Sequence, residues 1–109
     1  MTVELYQNSD NAIKVPVVDG VTGDAYQASS FSDAEYIIAD NAGKIVIHKK
    51  LNNGIIIDGD DFLINIDDGE LLVKGNYLHQ LVVWNSAGDK LPPVFIDKVK
   101  ILQVIKSPV

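Results

Sequence analysis

The chain has 109 residues, no cysteine, and a net charge of −6 in which all nine basic residues are lysine. That length holds one domain, residues 1–109, whose single core buries about 60–70% of the unfolded surface. The missing cysteines exclude disulfides, thiol chemistry and zinc-thiolate sites, and an acidic surface without arginine lacks bidentate phosphate contacts and disfavours nucleic acid.

Met1-Thr2-Val3-Glu4-Leu5-Tyr6 has neither a basic start nor an apolar stretch of signal-peptide length. No later apolar run approaches the ~20 residues of a membrane span, so synthesis in the cytoplasm and no membrane partner are expected. Beyond this start, apolar alternation is interrupted about every ten residues by turn chemistry, the rhythm of a sandwich or barrel. The expected strands are 3–6, 12–18, 34–40, 44–50, 54–57, 62–66, 77–84 and 94–104. Between them lie Asp19-Gly20, Asn41-Ala42-Gly43, Asn52-Asn53-Gly54, Asp58-Gly59, Asp67-Asp68-Gly69 and Ala87-Gly88, whose glycines and asparagines tolerate the positive φ of tight hairpins. Residues 21–33, rich in Ser, Gly, Ala and Asp, form the longest loop, with room for a short helical turn. No repeat of 20–50 residues and no low-complexity linker divides the chain.

The most telling segment is Leu72-Val73-Lys74-Gly75-Asn76-Tyr77, which runs into the apolar stretch Leu78-His79-Gln80-Leu81-Val82-Val83-Trp84. A tyrosine at the start of a long strand, two places after a glycine, is the pattern of a tyrosine corner, in which the phenol bonds back to upstream backbone. The fold expected is all-β, an immunoglobulin-like antiparallel β-sandwich of about seven to eight strands with Gly75 and Tyr77 at its corner. With Tyr77 turned inward, His79, Leu81 and Val83 follow it, and Leu78, Gln80, Val82 and Trp84 fall on the other face. That outer face is more apolar than an isolated sandwich requires, so Leu78, Val82 and Trp84 are the candidate interface unless a loop of the same chain covers them. In the last strand Val99 and Ile101 alternate with Lys98 and Lys100, which read as a solvated face and as edge protection.

Chemistry-bearing residues do not assemble into a catalytic set. The acids of Asp58-Gly59-Asp60-Asp61 and Asp67-Asp68-Gly69-Glu70 sit beside turn glycines, and Phe62 stands where a calcium loop needs its third oxygen ligand. Two-acid glycoside chemistry would need a sugar cleft and a carboxyl with a raised pKa, and nothing in the sequence indicates either. His48 and His79 are too few for a three-histidine metal site, and His79 is expected to be a hydrogen-bonded core residue. The serines lack a nucleophile elbow, and no Gly-rich phosphate loop occurs. No catalytic residue, metal or cofactor is therefore expected, and the chain reads as non-enzymatic.

The succession of an N-terminal strand pair, a polar loop, the hairpin 34–50, strands 54–57 and 62–66, Gly75-x-Tyr77-x-His79-x-Leu81-x-Val83 and a Gly88 hairpin into 94–104 covers nearly the whole chain. It resembles the small immunoglobulin-like modules of tailed-phage and prophage tail, baseplate and fibre proteins. Gly-x-Tyr with a glycine hairpin also occurs in bacterial adhesin and fibronectin-like domains. The chain departs from antibody domains in lacking both cysteines and in carrying its tryptophan at the end of the corner strand, and from multi-domain baseplate proteins in stopping at Val109. The resemblance implies a virion structural module made in the bacterial cytoplasm, a connector, decoration or assembly component whose partners are other virion subunits or copies of itself. A carbohydrate- or receptor-binding module using Trp84, Tyr26 and loop acids stays open. The scattering of Tyr6, Tyr26, Tyr36, Tyr77 and Trp84 disfavours it, because sugar sites present aromatic faces together.

Overall fold

A computed structural model describes residues 2–18, 22–71, 73–106 and 108. Its strands are β1 (Val3–Tyr6), β2 (Asn11–Val15), β3 (Val17–Val18), β4 (Ala25–Tyr26), β5 (Asp33–Ala39), β6 (Ile45–Leu51), β7 (Gly54–Asp58), β8 (Asp61–Ile66), β9 (Gly75–Trp84) and β10 (Phe95–Leu102). The expected stretch 12–18 is divided at Pro16, which has no N–H to give to a ladder. The long loop 21–33 contains β4 and one 3-10 turn, Ala28–Ser30, and the expected turn Asp19-Gly20 lies outside the described residues.

Hydrogen bonds link the strands in the order β1-β10-β9-β5-β6-β7-β8-β2, while β3 and β4 form a separate ribbon. The long order folds over between β6 and β7 into a five-stranded layer and a three-stranded layer, giving an immunoglobulin-like β-sandwich. At that fold the pairing is parallel and only Lys50↔Gly54 and Leu51↔Ile55 are in register. The tight turn there holds Asn52 at φ +66° and Gly54 at φ +95°. A side chain on Gly54 would also collide with the aliphatic stem of Lys49, so glycine is required twice over. β1 also runs parallel to β10; the remaining adjacent pairs in the long order are antiparallel.

Period-two alternation builds the core. Ala34, Tyr36 and Ile38 of β5, Tyr77, His79, Leu81 and Val83 of β9, and Val99 and Ile101 of β10 turn inward from the larger layer. Ile13, Val15, Ile55, Phe62, Ile64 and Ile66 meet them from the smaller layer. Each fully buried isoleucine or phenylalanine contributes about 1.5–3 kcal/mol by leaving water, so this inner surface replaces the disulfide that the chain lacks. The inward assignment of Tyr77, His79, Leu81 and Val83 agrees with the expected parity. Among the described residues every buried side-chain nitrogen and oxygen has a hydrogen-bond partner.

Candidate interaction face

The corner that orients β9 is formed as the Gly75-x-Tyr77 spacing predicts. Gly75 holds φ +147°, a backbone region that favours glycine, and swings the chain so that Tyr77 enters the core with 9% of its surface exposed. Its hydroxyl donates to the carbonyl of Val73 at 2.7 Å, tying the strand to the connection before it. Leu72, in the same motif, lies outside the described residues.

Two places further along, His79 is 1% exposed and its Nδ1 lies 2.8 Å from the hydroxyl of Tyr36, itself fully buried. The rings meet edge to face, with centroids 5.7 Å apart at 85°, and Phe95 closes the group 4.7 Å from the imidazole. Burial pushes the Tyr36 phenol far up, so it keeps its proton and can donate to Nδ1. His79 is thus the hydrogen-bonded core residue expected from parity.

On the opposite side of β9 the three candidate interface residues differ. Val82 is only 2% exposed, which removes it from the candidate interface as a direct contact. Its ladder partner is Glu35, whose side chain is 20% exposed, and the neighbouring Lys50 reaches over Trp84. Strand pairing thus sets long side chains of β5 and β6 beside the valine, a neighbourhood that reading β9 alone could not reveal. Trp84 is half-buried, with the Lys50 and Lys90 ammonium groups 5.2 and 5.6 Å from its ring. Cation–π contacts from the chain's own lysines occupy its surroundings.

Leu78 remains open at 46% exposure, and the structure brings it together with residues not singled out from the sequence. Ala39 pairs with both Leu78 and Ile45, while Gln80 pairs with both Ile37 and Ile96. These side chains line a shallow depression of about 300 Å³ on the outer face, where Ile96 is 63% and Ile45 55% exposed. Ile96 was legible, since it shares parity with Lys98 and Lys100. Ile45 was not, because a register shift in the β5–β6 ladder between Ile38 and Ala39 sets which way it faces.

The acids serve turns and ion pairs. Asp58 and Asp61 bracket Lys14 at 4.0 and 3.6 Å, and the Asp68 amide donates to Asp10 at 2.7 Å. Glu70 accepts two bonds from Lys49, at 2.7 and 2.9 Å, and one from the Asp67 amide. Desolvation opposes the charge on Glu70, but the Lys49 ammonium and the Asp67 amide outweigh it and hold the carboxyl below its ordinary range. Asp33 behaves alike, its desolvation outweighed by Lys50 and the Ala34 amide. His48 bonds Glu35 at 2.8 Å, and no group of three or more His, Cys, Asp or Glu among the described residues is placed to hold a metal ion. Among those residues, no helix is long and apolar enough to cross a membrane.

The aromatics of the carbohydrate alternative lie apart. Tyr26 packs edge-on against Phe31 at 6.1 Å in the β3–β4 region and lines a groove with Pro92 and Pro93, whereas Trp84 sits between lysines on the outer face.

No family model matches the chain, and no curated protein matches its sequence. Among solved structures it is similar to CopC from Methylosinus trichosporium OB3b, with a TM-score of 0.50 and 14% identity over 95% of this chain and 88% of that one. It is also similar to fibronectin(III)-like modules of CbhA from Clostridium thermocellum, with a TM-score of 0.48 and 15% identity over 95% and 89% of the two chains. At such identity the likeness is one of fold.

Proposed function

We propose that this immunoglobulin-like domain is a non-enzymatic virion structural module, a tail, baseplate, fibre or decoration component that assembles against other protein subunits through the outer face of its larger layer. The observation that carries an assembly role is the shared depression lined by Leu78, Ile96 and Ile45, all more than 40% exposed, with Ala39, Ile37 and Gln80 between them. An isolated antiparallel layer finishes its solvent face with polar residues, and a patch of this kind is the usual mark of a protein contact. The virion assignment draws on the resemblance of the strand and corner pattern to tailed-phage modules.

The test is incorporation. Particles induced from the strain that carries the gene would be purified by density gradient and probed for the protein, with wild type compared to a Leu78→Asp/Ile96→Asp variant. A virion module is expected in the particle band in fixed copy number, and the variant is expected to be lost from it while remaining folded. Wild-type protein confined to the particle-free fraction would contradict the virion reading, and full incorporation of the variant would contradict the role of this face.

A further inference from the structure

We infer that the partner of this face is the opposite face of a second copy, so that the domains stack head to tail. The inference rests on the assembly reading above and names the occupant of its surface.

The two outer faces are built differently. Around the Leu78–Ile96–Ile45 patch stand Lys44, Lys98 and Lys100. Of the nearby acids, Glu4 opposes Lys100 in the β1–β10 register, and one oxygen of Asp40 accepts the amides of Ala42 and Lys44. On the other side of the sandwich the three-stranded layer presents Ile56, 45% exposed, beside its ladder partner Leu63, with Ala12 on the same face. Lys14, the other ladder partner of Leu63, is bracketed by Asp58 and Asp61, and the surroundings are otherwise acidic, with Asp60 beside that pair and Asp10, Asp67 and Asp68 at the opposite end. Each face thus pairs an apolar centre with a rim, lysine-rich on the larger layer and aspartate-rich on the smaller.

Charge decides how two copies can meet. Copies carrying −6 repel one another, and pairing like faces makes this worse, setting lysine rim on lysine rim or aspartates on aspartates. Only the larger layer of one copy against the smaller layer of the next brings opposite rims together over apolar centres. The domain measures 47 × 30 × 23 Å, and a stable interface asks roughly 800 Å² of each partner, so the contact draws in the charged rims as well as the apolar centres. Because the faces lie on opposite sides, the contact is heterologous and, when repeated, extends in a row unless rotation closes a ring.

Two single variants test this, Leu78→Asp for the larger face and Ile56→Asp for the smaller; both positions are exposed, and unchanged melts would verify folding. Sedimentation velocity is expected to show wild type growing beyond a dimer with concentration and dissociating as salt is raised. Each variant alone is expected to stay monomeric, with at least roughly tenfold weaker self-association. An equimolar mixture of the two is expected to form a dimer and nothing larger, because one intact face remains on each. The inference is overturned if wild type stays monomeric at millimolar concentration, if Ile56→Asp still dimerises, or if the mixture does not pair. In particle incorporation, loss with Leu78→Asp/Ile96→Asp but not with Ile56→Asp would sink head-to-tail stacking alone, whereas retention of the former would sink the assembly face itself.

Discussion

The hydroxyl of Tyr77 donates to the carbonyl of Val73 at 2.7 Å, four residues upstream, and this bond closes the corner from which the longest strand of the domain departs. Tyr77→Phe keeps the ring in the core and leaves that carbonyl without its partner. A loss of about 1–2 kcal/mol in denaturant unfolding is expected, with strand content by circular dichroism unchanged. An unfolding midpoint equal to wild type would show that the corner bond contributes nothing.

Tyr36 and His79 meet at 2.8 Å inside the sheet, with both residues out of reach of water. Tyr36→Phe strands a buried imidazole nitrogen, at a cost of about 1–3 kcal/mol, while Tyr36→Phe/His79→Leu removes both polar groups and should recover part of that loss. A double-mutant cycle with no coupling between the positions would contradict the pairing.

At the fold between the layers, Gly54→Ala meets both an unfavourable φ and the stem of Lys49. The expected effect is a loss of about 1–3 kcal/mol, seen as a lowered melting temperature. An unchanged melt would mean that the turn after β6 can relax freely.

These sites differ in how far a single sequence reveals them. Gly75-x-Tyr77 is legible because its geometry is local, and the inward set from Tyr77 to Val83 follows by alternation once the corner is placed. Val82 is buried although its parity is outward; its ladder partner is Glu35, which in turn pairs with Lys50, and strand pairing rather than sequence distance sets those neighbours. The apolar patch divides in the same way, with Ile96 marked by its parity with Lys98, and Ile45 turned outward only by an irregular ladder between β5 and β6.

Glu70 gives the fold a pH dependence with a definite sign. Its folded carboxyl titrates below the ordinary value of 4.5, so the stability it contributes is present above pH ~4.5 and is lost progressively as the pH falls through the folded value. Glu70→Gln should therefore be less stable than wild type at pH 7, and the gap should narrow on acidification. Denaturant midpoints for both proteins between pH 7 and pH 3 check this, and a gap of constant size would contradict the ion pair with Lys49.

On the reading proposed above, the exposed apolar face around Leu78 and Ile96 is covered by a second copy of the domain. The most direct measurement is sedimentation velocity across a concentration series for wild type and Leu78→Asp/Ile96→Asp, with matched thermal melts. Association by wild type that the double substitution abolishes is expected, with melts agreeing within a few degrees because both side chains are already exposed in the folded domain. Wild type and variant with the same sedimentation behaviour at every concentration would contradict it.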